Sequence, residues 1–170
     1  MRSQMMITKE QKDFITFIVE CLIGTVIGFL LYRYYPVIGA WSLFSIILVL
    51  APDRKDAMAL ASNRIKANLI GAFIGLIVSY FHPVSLLMIC LGVAIAMILC
   101  EWVNLKAVTK SAVVAILIIT MHEPGQYFWN IAMERAGGVM LGCIIGVIIT
   151  YVFHVARLHS AKTLQRIRRK

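Results

Sequence analysis

The chain has 170 residues, 61% of them hydrophobic and 15% charged, with a mean hydropathy of +0.85. A water-soluble domain of this length carries more charge, and the apolar excess runs the whole length, which predicts one polytopic membrane domain in a lipid bilayer. The net charge of +9 does not indicate nucleic acid, because the basic residues flank apolar runs, where membrane orientation places them.

Residues 1–13 form a polar lead with Arg2, Lys9 and Lys12. The apolar run behind it is long and has no small-residue cleavage site, so it reads as a retained helix rather than a removable signal. That first span is expected over 14–35, with Glu20, Gly24 and Gly28 on one face at a spacing of four. Pro36 ends it, since the residue before a proline avoids helix. The next run, between Pro36 and Pro52, is only about fifteen residues, short of the ~20 needed for a full crossing. Residues 52–63 are polar and then alanine-rich, a loop passing into a helical extension of the third span, which ends at 81–83. A fourth span is expected over 84–103, a connection over 104–110 and a second short run over 111–121. Residues 122–126, His-Glu-Pro-Gly-Gln, are the clearest turn in the chain. A sixth span covers 129–155. The basic tail, 157–170, is expected to be a solvated or headgroup-facing helix end.

One stretch occurs twice. Arg64, Gly71, Ile74, Gly75, Ile77 and Tyr80 recur 71 positions later as Arg135, Gly142, Ile145, Gly146, Ile148 and Tyr151. Glycines four apart sit on one helix face and let another helix approach closely. The transmembrane domain, 14–156, therefore divides into repeat one, about 14–82, and repeat two, about 84–156. If both termini are cytoplasmic and the chain crosses six times, fifteen of the seventeen Lys and Arg lie inside, and only Arg33 and Arg135 lie outside. Three crossings per repeat is an odd number, so the second copy runs opposite to the first. The fold expected is all-α, six transmembrane helices as two inverted three-helix repeats. In this arrangement Arg64 sits at the cytoplasmic end of span three and Arg135 at the outer end of span six. The short runs, spans two and five, hold matching places in the two halves, which points to a binding site near the midplane.

Gly39-Ala-Trp41, the apolar run to Pro52, and Asn63-Arg64 leading into Gly71 and Gly75 together resemble the membrane domain of the fusaric acid resistance and aromatic acid exporter superfamily. Arg135 followed by Gly142 and Gly146 fits the repeated character of that domain. The resemblance covers about 14–156. It implies efflux of aromatic carboxylic acids or related anions across a bacterial inner membrane. Many members carry a cytosolic domain after the membrane part, and here only 157–170 follow.

Several residues could carry chemistry. An ionisable group within a span is a functional candidate, because lipid penalises it. Glu20 reads as a proton carrier or, alternatively, as one half of an ion pair with Arg64 or Lys66. Arg64 and Arg135 could clamp a carboxylate with their planar forks, or serve as interfacial anchors. Trp41 could stack an aromatic ring, or belong to the interfacial belt. Lys110 is expected to snorkel to the cytoplasmic surface. Gly24, Gly28, Gly71, Gly75, Gly142 and Gly146 are packing positions. Ser42, Ser45, Thr120 and Thr150 could bond across helices or back to their own carbonyls. His82, His122, His154 and His159 are scattered near span boundaries, and Glu123 beside His122 lacks a third group for catalysis. Cys21, Cys90, Cys100 and Cys143 lie in apolar runs with no metal-ligand spacing. No enzyme motif, cofactor or metal site is expected. The function expected is a proton-coupled exporter of aromatic or related organic acids, working as a homo-oligomer, most simply a dimer. The alternative is a non-transporting membrane scaffold or regulatory subunit.

Overall fold

A computed structural model describes residues 9–51, 53–81, 85–121 and 128–168. These residues form six α-helices and a single 3-10 turn at Lys106–Val108. The helices are α1, Lys9–Tyr34; α2, Pro36–Val49; α3, Arg54–Tyr80; α4, Leu86–Trp102; α5, Thr109–Thr120; and α6, Phe128–Arg168. The expected turn at 122–126 lies outside the described residues, as do His82, His122 and Glu123.

Local chemistry sets the helix ends. Pro36 opens α2 at a position where its missing N–H costs nothing, and Tyr35 before it leaves the helical conformation. Only Tyr35 separates α1 from α2. The chain folds back that sharply because Gly39 has no side chain: a Cβ there would overlap the backbone of Leu31 and Tyr32. Asp53 caps α3 by accepting from the backbone N–H of Lys55 at 3.1 Å, an interaction worth about 1 kcal/mol. Ser85 caps α4 in the same way through Met88 N–H. After α4 the chain turns through Asn104 at φ 57°, a left-handed position that asparagine tolerates. Leu105 N–H then reaches back to the Cys100 carbonyl at 2.7 Å, and both residues are buried together.

α2 and α5 have 14 and 12 residues, so at 1.5 Å per residue they span about 21 and 18 Å. α6 has 41 residues, about 60 Å, and takes in the tail expected beyond 157. The segments Phe14–Tyr34 and Trp129–Arg157 are long and apolar enough to cross a membrane, and Pro36–Val49 and Leu86–Trp102 are shorter apolar helices. The outer faces of α1, α4 and α6 expose large apolar side chains, Leu22, Val26, Leu91, Ile98, Ile144 and Val152 among them. Exposure on that scale suits lipid rather than water.

The same contact is made twice. Gly71 and Gly75 of α3 face Ala112, Ile116 and Ile119 of α5. Gly142 and Gly146 of α6 face Ser42, Ile46 and Val49 of α2. The glycines differ by 71 positions and their partners by 70 throughout. α1 packs on α2 as α4 packs on α5, and α3 and α6 meet along the middle. Gly24 and Gly28 take the same part for α1, seating it against Leu43 and Ile46 of α2 and Leu50 just beyond it.

Candidate functional site

The central helices leave a cavity of about 490 Å³. Trp41, Phe44 and Leu48 of α2 and Leu60 and Arg64 of α3 line one part of it. Lys110, Ser111 and Val114 of α5, the adjoining Ala107 and Val108, and Arg135 and Val139 of α6 line the rest. The lining runs from exposed residues such as Lys110 and Phe44 to buried ones such as Ser111 and Arg135.

Three of these side chains are cations, Arg64, Lys110 and Arg135, and none is a carboxylate. Arg135 is only 2% exposed. Its Nε donates to Asn68 Oδ1 at 3.1 Å, and its guanidinium carbon lies 4.3 Å from the centre of the Trp41 ring. Its Nη1 is buried with no hydrogen-bond partner among the described residues, and so is Ser111 Oγ. Arg64 Nε donates to Ser45 Oγ at 3.4 Å, and both guanidinium-bearing side chains line the one cavity. Two arginines held by neutral partners in an apolar setting make a strong field for an anion.

Gly138 allows Trp41 to reach Arg135. It lies one turn beyond Arg135 on α6, and a Cβ there would stand 2.7 Å from Trp41 Cβ. Ser42 fastens the same crossing, donating to both the Ile38 and Gly138 carbonyls, at 2.9 and 3.0 Å.

The structure thus brings Arg64, Arg135 and Trp41 into one cavity. α3 starts at Arg54, so Arg64 lies about 15 Å along it, deep enough to meet Arg135. α1 contributes nothing to the cavity, because its glycine face holds it on the far side of α2. Glu20 is consequently elsewhere. It is fully buried, and its Oε1 accepts from Arg157 Nη2 at 3.0 Å. Neither expected partner, Arg64 nor Lys66, makes that contact: Arg64 faces Ser45 and Lys66 is exposed. Glu20 Oε2 is buried with no hydrogen-bond partner among the described residues.

The sequence reading passed over Asn68 and Gly138 and set Lys110 at the surface. A signal was present for Asn68, a lone amide within an apolar run, where a polar group needs a partner. Thr120 bonds back to the Ile116 carbonyl at 2.9 Å, whereas Thr150 Oγ1 is buried with no partner among the described residues. Cys100 and Cys143 are buried free thiols, Cys21 is half-buried and Cys90 is exposed. Outside the spans, Lys106 bonds Glu101 at 2.6 Å, which holds its ammonium above the ordinary lysine range. Both groups are exposed, so water weakens that tie.

A family described as fusaric acid resistance protein-like matches residues 32–149. The matched segment holds α2 to α5, the cavity-lining part of α6 and all three cavity cations. No curated protein and no solved structure matches the chain.

Proposed function

We propose that the chain, which belongs to the fusaric acid resistance protein-like family, exports aromatic or related organic acids across a bacterial inner membrane. The observation that carries this reading is the cavity, with three cations, no carboxylate, and Trp41 under the Arg135 guanidinium. A carboxylate fits the open donor of Arg135, and a flat ring fits the aromatic wall beside it.

The architecture proposed is six spans in two inverted three-helix repeats, with both termini cytoplasmic. The contact of α3 with α5, repeated by α6 with α2 at a constant offset, supports it. So does the distribution of Lys and Arg. Rocking one repeat against the other would open the cavity to each side in turn. Proton coupling is assigned to Glu20. It does not touch the anion, but α6 carries both Arg135 and the Arg157 that holds Glu20. A shift of α6 on anion binding would alter the Glu20 pair and so link the two occupancies. The protein would work as a dimer, with α1 and α4 offering apolar faces to a second copy or to lipid.

The test is efflux of a panel of aromatic acids from proteoliposomes under an imposed pH gradient. The parent protein should move at least one acid, Arg135→Ala should abolish that movement, and Glu20→Gln should remove its dependence on the gradient. Absence of efflux for every acid overturns the proposal. It would favour the scaffold reading, in which Glu20 and Arg157 serve only to tie α1 to α6.

A further inference from the structure

Taking the cavity as an anion site, as above, we infer that its occupant is an aromatic dianion, one flat ring bearing two acidic groups, rather than a monocarboxylate. The first ground is charge. Among the described residues, the side-chain hydrogen bonds of Arg64 and Arg135 go to neutral partners, Ser45 and Asn68. Lys110 adds a third positive charge, and no acidic side chain lines the cavity. A monocarboxylate would leave two of the three positive charges without a counter-charge, which is costly in an apolar setting. A dianion leaves only one.

The second ground is the difference between the two walls. The positions on α2 that correspond to Lys110, Ser111 and Val114 of α5 are Ala40, Trp41 and Phe44. One wall is therefore aromatic and the other basic, with small side chains. On the aromatic side stands Arg135 with its unpartnered Nη1, and on the other Ser111 with its unpartnered Oγ. The cavity thus has two separate places where a buried polar atom has no partner among the described residues. One acidic group can answer only one of them. Two acidic groups across a ring answer both, the first at Arg135 and Arg64, the second at Ser111 and Lys110.

The experiment is ligand titration of the purified full chain in zwitterionic nanodiscs. The probes are benzoate, isophthalate, terephthalate and cyclohexane-1,4-dicarboxylate. At least one benzene dicarboxylate should bind about tenfold or more tighter than benzoate, the gain expected of one added charge-assisted contact. Lys110→Gln and Ser111→Ala should each shrink that ratio. Lys110 is exposed, so its replacement leaves the fold intact. Benzoate binding as tightly as both benzene dicarboxylates overturns the dianion inference and leaves the anion site standing. Equal binding of the cyclohexane compound overturns the requirement for a flat ring. No binding of any probe to helical, monodisperse protein overturns the anion site and this inference together.

Discussion

Glu20 and Arg157 stand 137 positions apart in the chain and meet at 3.0 Å. The pair ties α1 to α6 beyond the part of α6 that lines the cavity. The carboxylate is fully buried, and the arginine side chain is 28% exposed. Arg157→Gln should be the more damaging substitution, because it strands a charge in an apolar setting. Stranding of this kind costs about 3 kcal/mol in a closed site and less here, where water reaches the arginine. Glu20→Gln should cost less, and the double variant less than the sum of the two. Thermal unfolding of the four proteins in one detergent measures the coupling, and strict additivity would show the pair to be incidental.

The glycines separate by what they touch. A Cβ on Gly71 or Gly142 would overlap backbone atoms of α5 or α2, which cannot step aside. Gly71→Ala and Gly142→Ala should each cost about 1–3 kcal/mol by overpacking. Gly75 and Gly146 meet their neighbours at 3.2 Å, where a methyl group needs only a small adjustment, so Gly75→Leu and Gly146→Leu are the decisive changes there. Gly137 has nothing within 4 Å. Gly137→Ala should stabilise by up to about 1 kcal/mol, since glycine weakens a helix. Melting temperatures that do not separate Gly71→Ala from Gly137→Ala would reject this account.

Trp41 should report on occupancy. It lines the cavity and carries the Arg135 guanidinium on its face, whereas Trp102 and Trp129 are exposed. Binding of an aromatic acid should change tryptophan fluorescence, and the change should vanish in Trp41→Phe. Trp41→Ala should also weaken binding, since loss of the stacked contact is worth about 0.5–2 kcal/mol to the placement of Arg135. A full fluorescence response in Trp41→Phe would put the ligand elsewhere.

Orientation is open to cysteine labelling. A membrane-impermeant thiol reagent added outside should label single cysteines placed at 122–126 and should not label those at 53–56. The reverse pattern would invert or discard the topology.

Assembly can be weighed directly. The apolar faces of α1 and α4 should hold two copies together, so mass measurement in native lipid should give a dimer. A monomer at every protein concentration would exclude it.

The membrane class, the short second and fifth helices and the glycine faces were readable because each is a local property of composition, length or spacing. Arg64, Arg135 and Trp41, which line one cavity, stand out in the sequence as candidates because polar or amphipathic groups in apolar runs are conspicuous. What they meet was not readable. In lipid both faces of a helix are apolar, so the pattern does not say which face is buried. Glu20 was assigned a partner from nearby bases, yet its partner comes from a helix more than a hundred residues later. Lys110 was placed at the surface because it begins a short run, and it is exposed, but the 3-10 turn before it sets it at the cavity. Gly138 carries no signal in the sequence beyond its small size, because its role comes from Trp41 packed against it.

The crosswise use of the two glycine faces bears on how the chain is made. Gly71 and Gly75 leave the ribosome well before Ala112, Ile116 and Ile119, the residues that cover them. α2 must likewise wait for Gly142 and Gly146. A nascent chain holding only the first three helices has the glycine-facing side of α2 and the glycine face of α3 both bare. Neither half can therefore close its own contacts before the other is made. A chain that stops early presents two unfilled grooves.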